Sequence, residues 1–511
     1  MNIKQAKDYI ENTVRLYLKK NEFGEYRIPV VRQRPIFLLG APGIGKTAVM
    51  EQIAQELSIA LVSYSMTHHT RQSALGLPYI AHKEYEGMSY DVSEYTMSEI
   101  IASLYEVMEE SGIKEGILFL DEINCVSETL APSMLQFLQY KVFGRHKVPE
   151  GWVIVTAGNP PEYNKSVREF DVVTMDRLKV LTVEADYQVW KEYALERGLH
   201  TAILNFLELK KEYFYRIETT VNGRSYVTAR GWEDLSEILS LYEEEGMKVE
   251  ESLIEQYLRN DRVVKEFGAY YDLFNKYKRD YQIEEILQGR APEQTTERAR
   301  IAAFDERLSL LGMLTDKMMS EIRENMETAD YLTELFQGLK AVKTTIAKAQ
   351  EEQQEDAGAV VEELLKKQSE GRKKQLDAML KAGNLSEQER RKKNKILRFL
   401  EEAGRLLYGE NHLTASGAFQ LVKEKFDQEL SQMRNVTMGI KERLEHLFSF
   451  VQDAFAEGNE MLILVTELTV NSNSARFISQ FGCEAYQKQS EQLMLSERQS
   501  LLQQEIAALD L

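Results

Sequence analysis

Eight consecutive residues of this 511-residue chain combine glycines, a lysine and a threonine at a spacing suited to holding a polyphosphate. They are Gly40, Ala41, Pro42, Gly43, Ile44, Gly45, Lys46 and Thr47. Glycines let backbone N–H groups turn towards an anion, and a helix beginning there directs its positive end at the same anion. The lysine would reach the β- and γ-phosphates, and the threonine hydroxyl would ligate Mg²⁺. With an apolar run before it and a helical pattern after it, the segment predicts a nucleotide-binding P-loop rather than a glycine-rich turn with a chance lysine.

A second set of candidate residues, Asp121 and Glu122, follows the continuous apolar run 117–120. Such a run is typical of a strand buried on both faces of a parallel sheet, where ligands bind beyond the carboxyl ends of the strands. Asp121 would then hold Mg²⁺ through water, and Glu122 would orient or deprotonate the water that attacks the γ-phosphate. An acidic pair at a strand end is often only solvated. Together with the P-loop, however, it predicts a nucleoside triphosphatase.

Two further segments resemble those of the AAA+ superfamily, and within it the MoxR-type ATPases of the helix-2-insert clade. They are Gly76-Leu77-Pro78 and residues 148–160, a proline-glycine turn leading into a strand that ends in Gly-Asn-Pro. The resemblance covers approximately residues 1–240. It implies an ATP-hydrolysing ring, a hexamer of identical chains, that works with a von Willebrand factor A domain protein.

The resemblance also assigns roles to three polar residues. Asn159 matches sensor 1, a polar side chain at the end of the fourth core strand that would hold the attacking water. The alternative is that the Asn159 side chain only stabilises the turn before Pro160. Arg177 matches the arginine that reaches into the neighbouring subunit's site, where a guanidinium grips phosphate oxygens in a fork. Arg168 competes for that role, and a structural ion pair is the third possibility. Arg230 matches sensor 2 on the lid, although this chain has Ala229 where relatives usually have proline.

The composition restricts the classes of function. The formal net charge of −19 argues against a broad nucleic-acid-binding surface. Two cysteines in a chain of this length offer no disulfide framework. No run approaches 18 apolar residues, so we expect no membrane span and a soluble, cytoplasmic protein.

The predicted fold class is an α/β P-loop NTPase (AAA+) core with a parallel sheet, followed by a helical lid and a long all-α C-terminal region. All nine prolines fall at or before residue 292, and the sequence after that point is typical of helices. The predicted segments are an N-terminal helix and lead-in (1–34), the AAA+ core (35–185), the lid (186–248), a helical connector (249–292) and a helical region for docking or oligomerisation (293–511).

Several patterns outside the motifs also predict structure. An apolar repeat from Ile301 through Phe304 and Leu308 to Ile322 predicts a short heptad seam. The aromatic residues of 257–277 lie at helical spacing, which favours packing over base stacking. By the family resemblance, residues 73–94 would carry the helix-2 insert, and residues 139–151 would form a hairpin that lines the pore of a ring.

The leading hypothesis is a ring-forming ATPase that remodels a partner protein or loads a metal or cofactor into it. One alternative is a nucleotide-gated module that acts on nucleic acid or in a defence complex. The other is the ATPase subunit of a metal chelatase.

Overall fold

The chain divides into two units, each of which is described separately. Unit 1 comprises Met1–Val189 and Ser369–Leu397, and unit 2 comprises Trp190–Gln368 and Arg398–Leu511. The computed structural model describes residues 1–68, 74, 76–143, 145–163, 167–220, 223–351, 358–408, 413–455 and 458–493. The segment boundaries predicted from the sequence stay predictions.

The strands of unit 1 are β1 (Ile36–Gly40), β2 (Ala60–Ser65), β3 (Pro78–Tyr85), β4 (Met88–Tyr95), β5 (Gly116–Asp121), β6 (Val142–Phe143), β7 (His146–Lys147), β8 (Trp152–Gly158) and β9 (Lys179–Val183). Five of them form one parallel sheet in the order β2-β5-β8-β1-β9. Strand β8 is buried along its whole length, and β5 is buried up to its last residue, as expected for central strands covered on both faces. The predicted α/β class with a parallel sheet is therefore confirmed.

The helices of the chain are α1 (Ile3–Tyr17), α2 (Lys46–Leu57), α3 (Glu99–Ser111), α4 (Ala131–Tyr140), α5 (Val172–Met175), α6 (Tyr187–Arg197), α7 (Thr201–Leu209), α8 (Ala229–Glu244), α9 (Glu251–Tyr257), α10 (Asp261–Tyr281), α11 (Ile283–Leu287), α12 (Glu293–Ile301), α13 (Phe304–Glu351), α14 (Gly358–Lys381), α15 (Glu387–Leu407), α16 (Ala415–Ala454), α17 (Glu460–Val470) and α18 (Ser472–Phe481). Residues 484–493 are also helical. Single 3₁₀ turns occupy Val30–Arg32, Met66–His68, Ile123–Cys125 and Lys211–Tyr213. None of the helices in the described ranges combines the length and apolar character needed to cross a lipid bilayer.

Two antiparallel hairpins of unit 1 coincide with the predicted insert and pre-sensor loops. Strands β3 and β4 pair from Pro78↔Tyr95 to Tyr85↔Met88, and β6 pairs with β7. Arg145 joins the two hairpins, since its guanidinium lies 2.5 Å from Glu94 and donates to the Tyr79 hydroxyl at 3.1 Å. Gly144 lies outside the described residues, and the pore-lining role of both hairpins stays a prediction.

In addition to its helices, unit 2 contains two paired antiparallel strands, β10 (Arg216–Thr220) and β11 (Gly223–Val227). Aromatic side chains form much of its core, with Phe206 contacting both Trp232 and Phe267. Along α10, Phe267, Tyr271, Phe274, Tyr277 and Tyr281 are buried. The packing role expected for the aromatic residues of 257–277 is thus confirmed for Phe267, Tyr271, Phe274 and Tyr277.

The predicted heptad seam is correct in its second part and wrong in its first. Leu308, Leu311, Thr315, Met318 and Ile322 are buried on α13. Ile301 and Phe304 are instead 77% and 48% exposed, because the chain leaves α12 after Ile301 and α13 begins only at Phe304. A periodic pattern that spans the gap between two helices does not keep its residues on one face.

We expect unit 2 to lose stability in acid because Glu243 is held ionised. Burial raises the pKa of this carboxyl, but His200 at 3.0 Å and Lys278 at 2.6 Å outweigh burial and lower the pKa to about 2. Because the folded pKa lies below the ordinary value of 4.5, the stabilisation is complete above that value and is lost as the pH falls towards 2. Such a shift corresponds to about 3 kcal/mol at most.

Glu243→Gln should therefore lower the free energy of unfolding by about 1–3 kcal/mol at pH 7, as measured by urea denaturation, and the difference should shrink towards pH 3. Glu244→Gln is the matched control, since its side chain is exposed on the same helix. A difference between Glu243→Gln and the parent chain that is independent of pH would contradict the electrostatic origin.

Candidate functional site

The predicted P-loop connects β1 to α2 through glycines with left-handed backbone angles. Gly43 and Gly45 have φ values of +73° and +91°, which residues with a side chain rarely adopt. Gly45 is the N-cap of α2 and provides no side-chain cap, so the first turn of the helix presents backbone N–H groups without a capping side chain. At the start of the loop, a Cβ on Gly40 would lie 2.8 Å from the Val183 carbonyl oxygen. The loop therefore has the backbone of an anion cradle at a helix N-terminus.

The Lys46 ammonium lies at the centre of this cradle. Only 8% of the residue is exposed, and its Nζ donates to the carbonyl oxygens of Gly40 at 2.8 Å and Ala41 at 2.9 Å. It also donates to Oδ1 of Asn159 at 2.9 Å. The structure thus brings Lys46, the first residue of α2, into contact with Asn159, which follows β8. Phosphate oxygens would accept hydrogen bonds from the Lys46 ammonium, and a bound water would hydrogen-bond to the Asn159 amide.

The side chains of Thr47 and Asp121 contact each other at the carboxyl end of β5. The Thr47 hydroxyl donates to Oδ2 of Asp121 at 3.3 Å, while Oδ1 of Asp121 accepts the backbone N–H of Glu122 at 2.8 Å. A hydroxyl and a carboxylate oxygen are the hard donors that Mg²⁺ prefers beside substrate phosphates. The residues present therefore fit the magnesium ion that was predicted for this position.

Glu122 has an uncommon backbone conformation, and two hydroxyl groups bind its carboxylate. Its φ is +54°, a left-handed value that costs a residue with a side chain about 1 kcal/mol or more. Its Oε2 accepts hydrogen bonds from Ser65 Oγ and Thr67 Oγ1, both at 3.1 Å. Since β2 lies beside β5 and pairs Ser65 with Asp121, the carboxyl end of β2 reaches this site. The carboxylate is thereby fixed at the edge of the sheet where the other site residues lie.

Sequence reasoning missed three residues of this site. Ser65 and Thr67 belong to no motif, and the only signal in the sequence was that polar residues follow the apolar run 59–62. Asn124 is the third, and its Nδ2 donates to the Asn159 carbonyl oxygen at 2.8 Å. Its buried Oδ1 has no hydrogen-bond partner among the described residues and packs against Gly158. Asn124 therefore fixes the backbone of the sensor-1 candidate, Asn159.

The three candidate arginines differ in their exposure and in their ion pairs. Arg177 follows α5 with an exposed side chain, and no ion pair of its guanidinium is found within the described part of the chain. Arg168 instead pairs with Glu128 at 2.5 Å. Arg230 is the second residue of α8 in unit 2, where it is exposed beside the N-cap formed by Thr228.

A comparison with protein families agrees with this geometry. The profile of the ATPase family associated with various cellular activities (AAA) matches residues 36–175. No curated protein matches the chain. Among 229 matching chains of solved structures, a candidate ATPase from Cytophaga hutchinsonii ATCC 33406 has 15% identity and a TM-score of 0.24 over 38% of this chain. The alignment spans 58% of that protein's own length. With the P-loop, the parallel sheet and the family match in agreement, residues 36–175 of this chain are an AAA ATPase domain.

Proposed function

We propose that the chain hydrolyses ATP to ADP and phosphate in the site formed by Lys46, Thr47, Asp121, Glu122 and Asn159. The observation that carries the proposal is the pairing of Lys46 with Asn159 and of Thr47 with Asp121, with Glu122 next to Asp121, beyond the carboxyl ends of β1, β5 and β8. Hydrolysis needs a group beside the phosphate cradle that can accept a proton, and simple nucleotide binding does not. Glu122 is that group here.

Each residue has a distinct part in the proposed reaction. Lys46 would exchange a carbonyl contact for β- and γ-phosphate oxygens, and Glu122 would orient the attacking water and accept its proton. Asn159 would hold the same water through its amide. Thr47 and Asp121 would hold Mg²⁺, which neutralises charge on the phosphate oxygens when bound.

The family resemblance extends the proposal from the single chain to an assembly. We propose a homo-oligomeric ring, a hexamer, in which Arg177 of one subunit completes the site of the next. Head-to-tail contacts of this kind close into a ring when the rotation between successive subunits completes a full turn. Arg230 would act as sensor 2 and couple the lid to the nucleotide. The exposed side chain of Arg177 and the ion pair that already engages Arg168 support this choice between the two arginines.

The proposed work of the ring is MoxR-type: it would remodel a von Willebrand factor A domain protein or load a metal or cofactor into it. The hairpin β3–β4 and the turn between β6 and β7 would act on that client.

Affinity capture with the Glu122→Gln variant in the presence of ATP, analysed by mass spectrometry, tests the identity of the client. Recovery of a von Willebrand factor A protein that is retained with ATP and released without it would support it. Nuclease-sensitive recovery of nucleic-acid proteins would favour the nucleic-acid alternative, and stimulation by a porphyrin-type substrate complex would favour the chelatase.

Lys46→Ala should weaken ATP binding about 10- to 100-fold, because charge-assisted hydrogen bonds to phosphate are lost from a largely buried position. Binding of a fluorescent ATP analogue measures this directly, and steady-state phosphate release should fall with it. Lys114→Ala removes the same charge from an exposed position and serves as the control. ATP binding of wild-type strength in Lys46→Ala would remove the P-loop from the proposed function.

A further inference from the structure

The turn between α14 and α15, residues 382–386, docks on the AAA domain; we call it the hairpin tip. Although it lies far along the sequence, this part of the chain belongs to unit 1. Ala382 is fully buried in the same hydrophobic cluster as Ala60, Val62 and Leu118. The backbone N–H of Leu61 donates to the Ala382 carbonyl oxygen at 2.9 Å. The tip therefore forms both an apolar and a backbone contact with strand β2.

Gly383 allows this close approach. Its φ is +66°, and a Cβ at this position would lie 2.9 Å from the Leu61 carbonyl oxygen. Both the backbone angle and the space exclude a larger residue. The tip ends α14 as a glycine C-cap commonly does, but here the turn also packs against a neighbouring strand.

Strand β2 needs such a partner because it lies at the edge of the sheet. One side of β2 pairs with β5 from Ala60↔Gly116 to Ser65↔Asp121. Edge strands present unpaired backbone groups on their other side, and the hairpin tip satisfies one of them at Leu61. The tip thus fixes β2 from the side opposite β5.

The same strand ends at the residue that holds Glu122. Ser65 lies four residues after Leu61, about 13 Å along an extended strand. Its hydroxyl donates to the Glu122 carboxylate at 3.1 Å. The P-loop instead follows β1, which is separated from β2 by β5 and β8. A displacement of β2 would therefore move the water-activating carboxylate and leave the phosphate cradle in place.

We propose that the hairpin tip is a positioning element for Glu122: by holding β2, Ala382 and Gly383 keep Ser65 in hydrogen-bond range of the carboxylate. The proposal rests on the ATPase function proposed above.

Gly383→Val tests the proposal, because a β-branched residue is not compatible with this backbone angle. We expect kcat for ATP hydrolysis to fall about tenfold to a hundredfold, as small misplacements of catalytic groups do. The ATP dissociation constant should stay within twofold of the wild-type value. Hydrogen exchange of the Leu61 amide should become faster, which reports undocking independently of hydrolysis.

Gly371→Val is the matched control. Gly371 lies on α14 in the same unit, and a Cβ added there would meet no atom within 4 Å. Its kcat and its Leu61 exchange rate should equal those of the wild-type protein. If Leu61 stays protected in Gly383→Val, the variant to be used is Ala382→Asp, which places a carboxylate at a fully buried position.

A double-mutant cycle with Ser65→Ala separates positioning from general destabilisation. If the tip acts through Ser65 and Glu122, the effects of Gly383→Val and Ser65→Ala on kcat should be strongly sub-additive. Unchanged kcat in a variant whose Leu61 amide exchanges freely would overturn the proposal, and so would fully additive effects. Wild-type protein that binds ATP but does not hydrolyse it would instead refute the proposed function, whatever the exchange of Leu61 shows.

Discussion

Glu122→Gln should bind ATP as tightly as the wild-type protein and assemble normally while its kcat falls by about 10²- to 10⁴-fold. The amide keeps the size and the hydrogen-bonding capacity of the side chain, so Ser65 and Thr67 retain an oxygen to donate to. It cannot accept the proton of the attacking water. Because the pairs Lys46–Asn159 and Thr47–Asp121 form without the Glu122 side chain, the affinity for nucleotide should not change.

The measurement pairs nucleotide affinity with single-turnover hydrolysis, so that binding and chemistry are observed separately. Glu109→Gln makes the same change of charge on the exposed face of α3 and should leave both quantities unchanged. Near-normal turnover in Glu122→Gln would exclude Glu122 as the water-activating group. A parallel loss of ATP affinity would instead indicate that the substitution disturbs the P-loop.

The residues predicted from the sequence are those whose chemistry is encoded locally. The P-loop and the Asp121-Glu122 pair each occupy one short segment, and each follows an apolar strand whose carboxyl end must face the site. The parallel sheet followed from the same apolar runs. These parts of the fold and site could be derived because the motif and its supporting strand are adjacent in sequence.

The contacts that fix the site could not be derived in this way. Ser65 reaches Glu122 only because β2 pairs with β5 in the register Ser65↔Asp121, and no short-range pattern encodes that pairing. Gly383 has the sequence signature of an ordinary helix end, and its approach to Leu61 depends on a contact more than 300 residues away in sequence. Tertiary packing, rather than local propensity, decides such contacts.

Arg177→Ala should reduce kcat by about 10³- to 10⁵-fold, the range for an arginine that stabilises phosphoryl transfer from a neighbouring subunit. The side chain of Arg177 is exposed, so loss of activity would not follow from a disturbed local site. Arg168→Ala is the comparison, because Arg168 is already engaged by Glu128 in its own chain. We expect a much smaller loss of activity from that variant.

Mixing two inactive variants decides whether Arg177 acts between subunits. In rings assembled from equal amounts of Arg177→Ala and Lys46→Ala, about a quarter of the sites would combine an intact P-loop with an intact arginine from the neighbour. Hydrolysis should therefore reappear in the mixture although each variant alone is inactive. A mixture as inactive as its components would mean that Arg177 supports its own subunit. Recovery in a mixture of Lys46→Ala with an inactive Arg168→Ala would instead transfer the role to Arg168. Only an arginine that acts across the interface produces complementation, because the two defects then lie in different subunits of one composite site.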